Sequence, residues 1–260
     1  MTRKYNKIRL AMSSNRFFVL RSGIDGQEVR FTREQAHQLC HVLRLKVGDV
    51  LVVLDNTGAE YDVTLTTVAG RQATGQIVAR REAPGEPRVQ ITLFQSLLAR
   101  HKFEWILQKG TEIGVARFVP VQNQRSIARA KQIDTNKLAR WRRILTEAAE
   151  QSHRGRIPRV EEPVTWDKIL PQLSNFDCSL IADPSGNTRS IEEALRQADR
   201  PLSAVALLIG PEGGFTADEV KRACENGATP ISLGPRILRT ETAAIVASAL
   251  ILYELGEMES

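Results

Sequence analysis

One change of rhythm divides this chain. Up to about residue 80 the apolar residues come in short, strand-like runs; beyond Pro87 such runs alternate with helix-like ones. Between the two stands Arg80-Arg81-Glu82-Ala83-Pro84-Gly85-Glu86-Pro87, a charged stretch punctuated by proline and glycine, the composition of a linker or long turn. At roughly 100–200 residues per domain, 260 residues suffice for two. We therefore expect a leader over residues 1–14, a small domain over 15–84 and a larger one over 88–260.

The small domain reads as β-rich. Asn15–Val19 starts a strand, and Asp49–Leu54 is a better one, followed by a turn at Asn56-Thr57-Gly58. Glu60–Val68 alternates, with Tyr61, Val63 and Leu65 on one face, and Gln76–Ala79 adds a further strand. Thr32–Val42 reads as a helix with Thr32 as its cap. The whole suggests a barrel. In the larger domain, strands are expected at Val89–Phe94, Phe118–Val121, Ser179–Ala182, Ala204–Ile209 and Ile231–Leu233. Helices are expected at Lys102–Ile113, Thr135–Gln151 (apolar side Leu138, Trp141, Leu145, Ala148) and Glu241–Leu255. Another follows the capping box Thr216-Ala217-Asp218-Glu219 and stops at Gly227. Alternation of this kind predicts an α/β domain with a parallel sheet.

Charge narrows the partners. The formal net charge is +6, but residues 99–160 alone carry +9 and residues 161–260 carry −8. Such a concentrated cation suits a phosphate-bearing partner bound in a salt-dependent way; solvated helix faces are the alternative. The three cysteines, Cys40, Cys178 and Cys224, are far apart and form no CxxC pair. A disulfide framework and a metal site are therefore not expected, and a reducing, cytoplasmic setting is. The most apolar stretch, Ala243–Tyr253, falls short of the about 20 residues a membrane-crossing helix needs, so no membrane partner is expected.

Two glycine-bearing loops stand at predicted strand ends: Ile209-Gly210-Pro211-Glu212-Gly213-Gly214-Phe215 and Leu233-Gly234-Pro235-Arg236-Ile237-Leu238-Arg239-Thr240-Glu241-Thr242-Ala243. Ligands of open α/β sheets bind beyond such ends. Neither loop carries the phosphate-cradling GxxxxGK[ST] or the dinucleotide GxGxxG pattern. Glycine loops can equally bring backbone groups close to a flat base. A tight turn before a helix is the plainer reading of either loop alone.

LIGPEGGFTADE followed by LGPRILRTETAA resembles the signature pair of the SPOUT methyltransferases, specifically the ribosomal RNA small-subunit methyltransferase E family. Lys109–Val115, Arg125-Ser126, Arg140-Trp141 through Arg154, and His41–Leu45 with Gly48-Asp49 are similar too. The resemblance spans roughly residues 15–255. It implies a PUA-like β-barrel that binds RNA, followed by an α/β domain with a trefoil knot. The implied activity is methylation of N3 of one uridine in 16S ribosomal RNA, free or in the small subunit, by a homodimer using S-adenosylmethionine. It implies a cofactor pocket formed by Gly210, Glu212, Gly213, Leu233, Gly234, Ile237, Leu238, Thr240, Thr242 and Ala243.

The chemistry suggests further roles. Uracil N3 carries a proton and is a poor nucleophile, so the reaction needs a proton acceptor and positive charge or donors near the base. Arg239 is the candidate for the charge, with a structural bridge as its alternative. Glu241 is the candidate base, with a helix-dipole role as its alternative. The uridine must be unpaired or flipped. Candidate RNA contacts are Arg125, Arg129, Lys131, Arg154 and Arg156 in the basic segment, with Arg44 and Lys46 in the first domain. The last helix is apolar nearly all round, which suits a core position or a dimer interface. A catalytically silent RNA-binding assembly factor of the same fold is the competing reading.

Overall fold

The computed structural model describes residues 15–98, 100–127, 130, 133–183, 186, 188–198 and 201–259. The expected leader, and Arg129 and Lys131 among the candidate RNA contacts, lie outside these. The chain forms two compact units. One comprises the described residues up to Glu86 together with Ala149–Ile157; the other comprises Pro87–Ala148 and the described residues from Pro158 onward.

The first unit is a curled six-stranded sheet: β1 (Arg16–Phe18), β2 (Ile24–Asp25), β3 (Glu28–Arg30), β4 (Val50–Leu54), β5 (Ala59–Ala69) and β6 (Gln72–Glu82). Its order is β1-β4-β5-β6-β3-β2. Strand β6 is longer than periodicity suggested. Arg80, Arg81 and Glu82 are strand residues paired with β5, so the turn starts only at Ala83. Thr32 caps helix α1 (Arg33–His37) through a full capping box with Gln35, and a π-helical turn, Gln38–Val42, continues it. Leu51, Val53, Val63 and Leu65 meet Val29, Phe31 and Leu39 in one core. Leu54 packs elsewhere, with Phe18, Ala149 and Ile157. The returning segment thus covers a second face of the sheet, which is why β4 reads VLVVL without alternating.

The second unit is a seven-stranded sheet, and every strand pair in it is parallel. Its strands are β7 (Gln90–Ser96), β8 (Arg117–Gln122), β9 (Arg159–Val160), β10 (Val164–Thr165), β11 (Cys178–Ala182), β12 (Ala204–Ile209) and β13 (Ala228–Ile231). The order is β10-β8-β7-β12-β11-β13, with β9 beside β8. The last strand ends where a strand was expected to begin. Ser232 and Leu233 belong to the following loop, because Ser232 N–H donates to Arg189 O and leaves the ladder. Helices α2 (Arg100–Ile113), α3 (Thr135–Gln151), α4 (Trp166–Ile169), α5 (Ile191–Arg196), α6 (Ala217–Glu225) and α7 (Thr240–Glu254) complete the described helices.

Trp141 of α3 is buried against Phe103 of α2, ring centroids 4.5 Å apart. The short α4 and the 3-10 turn after it carry Trp166, Ile169, Leu170 and Leu173 into the core beside Phe94 and Leu208. After β13, at the sheet edge, the chain returns to the middle. Thr240 at the start of α7 hydrogen-bonds Gly210, which follows the central strand β12. Among the described residues, no helix is long and apolar enough to cross a membrane.

Candidate active site

A cavity of about 430 Å³ opens at the carboxyl ends of β11, β12 and β13. This lies within the size range of small-molecule sites, roughly 300–1,000 Å³. Its walls come from the residue after β11 (Asp183), the loop after β12 (Gly210–Glu212 and Gly214) and the loop from Ser232 into α7. Short hydrogen bonds hold these loops. Gly214 adopts φ +66° and donates to Pro211 O at 2.9 Å, and Gly234 adopts φ +97° and donates to Ser232 Oγ at 3.2 Å. Both lie in the left-handed region that favours glycine. Thr240 Oγ1 donates to Gly210 O at 2.5 Å and accepts from buried Gln95 Nε2 at 3.2 Å, which joins the second loop to the first and both to β7.

A second tie runs through Glu219, 5% exposed. Its Oε2 accepts from Thr216 N–H at 2.8 Å, closing the capping box that starts α6. Its Oε1 accepts from Gln124 N–H at 2.9 Å and from Asn123 Nδ2 at 3.3 Å. Arg125 Nη1 completes the tie by donating to Gly213 O at 2.8 Å and Phe215 O at 3.2 Å. The loop after β8 is thereby fastened to the glycine loop after β12.

Of the residues proposed for a cofactor, Gly210, Glu212, Leu233, Gly234, Ile237, Leu238, Thr240 and Ala243 line the cavity together. Gly213 and Thr242 are not among its lining. The peptide oxygen of Gly213 is instead bound by Arg125, and Thr242 lies one residue beyond Glu241 on α7. Arg239 and Glu241 both line the cavity. Arg239 is the N-cap residue of α7 and makes no side-chain capping bond. Ile237 is 90% exposed although it lines the cavity, an apolar surface for a ligand to cover.

Three charged lining residues escaped the sequence reading: Lys102, Asp183 and Arg236. Asp183 follows directly on β11, so the strand-end rule contained the signal for it. Arg236 lies inside the second loop itself. Lys102 comes from α2, far from either loop in sequence, and nothing in its spacing marks it. Its Nζ donates to Glu212 Oε1 at 3.0 Å and stands 3.8 Å from Glu241 Oε2. The cavity wall thus carries Lys102, Arg236 and Arg239 against Asp183, Glu212 and Glu241.

The candidate RNA contacts divide. Arg44, with φ 56°, and Lys46 are exposed on the first unit. Arg125 is exposed but engaged with the glycine loop. Arg156 is exposed and donates twice to Thr57 O. Arg154 is 2% exposed, and Glu86 grips its guanidinium at 3.2 and 3.1 Å. A side chain so placed serves the fold and has no free face for a phosphate.

Residues 85–252 match the family model of an RNA methyltransferase domain, and residues 31–78 that of an RNA methyltransferase PUA domain. The ribosomal RNA small subunit methyltransferase E of Bacillus subtilis (strain 168) is 32% identical over 227 residues, covering 86% of this chain and 89% of that protein. Its counterpart of the same name from Synechocystis sp. (strain ATCC 27184 / PCC 6803 / Kazusa) is 37% identical over 224 residues, covering 86% and 72%. A crystal structure of a ribosomal RNA small subunit methyltransferase E from Neisseria gonorrhoeae bound to S-adenosyl methionine superposes with a TM-score of 0.82 at 30% identity. That match covers 92% of this chain and 97% of the other.

Proposed function

The chain belongs to the ribosomal RNA small subunit methyltransferase E family, and from that premise we propose that it methylates N3 of a uridine in 16S ribosomal RNA. The observation that carries the proposal is the cavity at the strand ends, where an arginine and a carboxylate from the start of one helix face the place a cofactor would occupy.

The cavity suits S-adenosylmethionine. Its apolar walls (Ile209, Leu233, Ile237, Leu238) offer faces for a flat ring, and the exposed loop backbone around Leu233 offers groups to read its edge. The cofactor has no phosphate, and the glycine loops carry no phosphate-binding pattern. Glu212 and Asp183 supply negative charge for hydroxyls or a cation. When bound, the cofactor supplies a methyl group activated by a sulfonium.

The chain's own residues supply the rest. Arg239 opposes the negative charge that the uracil ring gains when N3 loses its proton. Glu241 accepts that proton. The exposed Arg44 and Lys46 of the first unit bind phosphates, in keeping with its match to the PUA domain of RNA methyltransferases. The protein works in the cytoplasm as a homodimer. The exposed Leu250 and Tyr253 on α7, and Trp105 on α2, which packs against α7, support the dimer. Light scattering on the purified protein tests that state directly.

The function is tested by incubating the protein with radiolabelled S-adenosylmethionine and small subunits lacking the modification, then digesting the RNA. Label in 3-methyluridine is the expected result. Label in another nucleoside overturns the N3 assignment. Cofactor binding without transfer to subunits or free RNA favours a silent assembly factor.

A further inference from the structure

Lys102 sits between two carboxylates, one on the loop after β12 and one in the first turn of α7. Its ammonium donates to Glu212 Oε1 at 3.0 Å, while Glu241 Oε2 lies 3.8 Å away, beyond hydrogen-bond reach. Glu241 is only 16% exposed in its side chain, and its Oε2 is buried with no hydrogen-bond partner among the described residues. A buried acceptor without a donor is costly, and native structures rarely tolerate one without a reason. The reason here is where it stands. Glu241 lines the cavity, and Lys102 is the cation that faces its buried oxygen there.

We propose that Lys102 is a positioning residue for methyl transfer, acting through Glu241. Lys102 is committed to Glu212, which fixes its ammonium at the rim. From there it attracts Glu241 without capping it. At 3.8 Å the two opposite charges attract each other in a half-buried setting. That attraction favours one rotamer of a glutamate over its alternatives. Lys102 reaches the site from α2, so the arrangement unites three elements: α2, the loop after β12 and the start of α7.

The step that Glu241 takes balances by itself. The N3–H bond of uracil breaks, its proton forms an O–H bond on the Glu241 carboxylate, and the electron pair remains on nitrogen as the nucleophile. The inference rests on the N3 reading above for the identity of the proton, but the coupling between the two residues can be measured with any methylated product.

The test is a double-mutant cycle on the full chain with Lys102→Met and Glu241→Gln. Cofactor affinity is read by calorimetry, and the methylation rate at saturating cofactor and RNA. Lys102→Met is expected to lower kcat about 100-fold and to leave the cofactor Kd within about threefold. Lys102→Arg, which keeps the charge, should recover most of the loss. The double variant should be no slower than Glu241→Gln alone, because removing the acceptor removes what Lys102 orients.

Three results overturn the proposal. One is multiplicative losses in the double variant. Another is unchanged kcat in Lys102→Met. The third is a cofactor Kd raised tenfold or more with normal kcat, which would make Lys102 a cofactor ligand. Lys102→Gln, with thermal melts alongside, separates these from misfolding. If the wild-type product is not 3-methyluridine, the N3 reading fails while the cycle still decides the coupling.

Discussion

Replacing Arg154 with methionine separates the two roles open to a basic residue in the most basic stretch of the chain. Its guanidinium binds both oxygens of Glu86, Nε to Oε1 at 3.2 Å and Nη2 to Oε2 at 3.1 Å, in an almost fully buried setting. Removing one partner of a buried pair costs about 3–5 kcal/mol because the other charge is stranded. Glu86 keeps the 2.9 Å hydrogen bond from Arg156 N–H and some solvent contact, which places the cost near the lower end, about 3 kcal/mol. With a urea slope of about 2 kcal/mol/M, the midpoint should fall by about 1.5 M. The loss should appear in the first unit, to which the segment Ala149–Ile157 belongs. Trp105, Trp141 and Trp166 all lie in the second unit. Tryptophan fluorescence therefore reports the second unit, and amide hydrogen exchange in β4 to β6 reports the first. A phosphate contact would behave differently. Its loss would leave the urea midpoint unmoved and flatten the salt dependence of RNA binding by about 0.9 in log–log slope. That pair of results would refute the structural role.

Gly210→Ala would place a Cβ 3.2 Å from Phe215 N and 3.3 Å from the Gly214 backbone. Such overpacking costs about 1–3 kcal/mol, and calorimetry should show weakened S-adenosylmethionine binding; unchanged affinity would count against the loop's role. Glu219→Gln turns an acceptor of three N–H groups into a side chain with only one acceptor oxygen. Stranding a buried donor costs about 1–3 kcal/mol, visible as a lowered melting temperature of the second unit; an unshifted melt would refute the tie. Asp55 gives a pH dependence. Burial opposes its charge, but hydrogen bonds from Thr57 and Tyr61 outweigh it and hold its pKa below 3.8. Its contribution to stability is therefore complete above pH 3.8 and is lost as pH falls through the lower folded value. Acid titration of Asp55→Asn should lack that step, and an identical curve for the two proteins would remove the assignment.

Much of the architecture was legible because its signals are local. The Thr32 cap and the Thr216 capping box are each written within one turn of helix, and the apolar side of α3 within about three. The two glycine loops could be placed because a parallel sheet presents its strand ends on one side. What escaped was non-local or unmarked. Ser190 opens α5 with a capping box of its own, but the helix is only six residues long and too short for its period to register. The strap Ala149–Ile157 begins in the last turn of α3, and only its packing on Phe18 and Leu54 assigns it to the first unit. Arg154 read as a phosphate contact because charge density does not reveal a carboxylate partner 68 positions away. Lys102 is invisible for the same reason, since its partners at 212 and 241 are set by the sheet order and not by spacing.

The cavity draws on residues 102, 182–183, 209–212, 214, 231–234, 236–241 and 243, so no short fragment of the second unit contains it. It exists only when β11, β12 and β13 are paired and α7 has returned to the middle of the sheet. Binding is therefore linked to the folding of that whole unit, and to the first unit only if the two unfold as one. A ligand at 100 times its Kd stabilises the state that binds it by about 2.7 kcal/mol. With a urea slope of about 2 kcal/mol/M, the transition seen by tryptophan fluorescence should move up by about 1.3 M. Hydrogen exchange in β4 to β6 should keep its free-protein protection. Equal shifts in both signals would mean that the two units, despite their separate cores, unfold as one cooperative block.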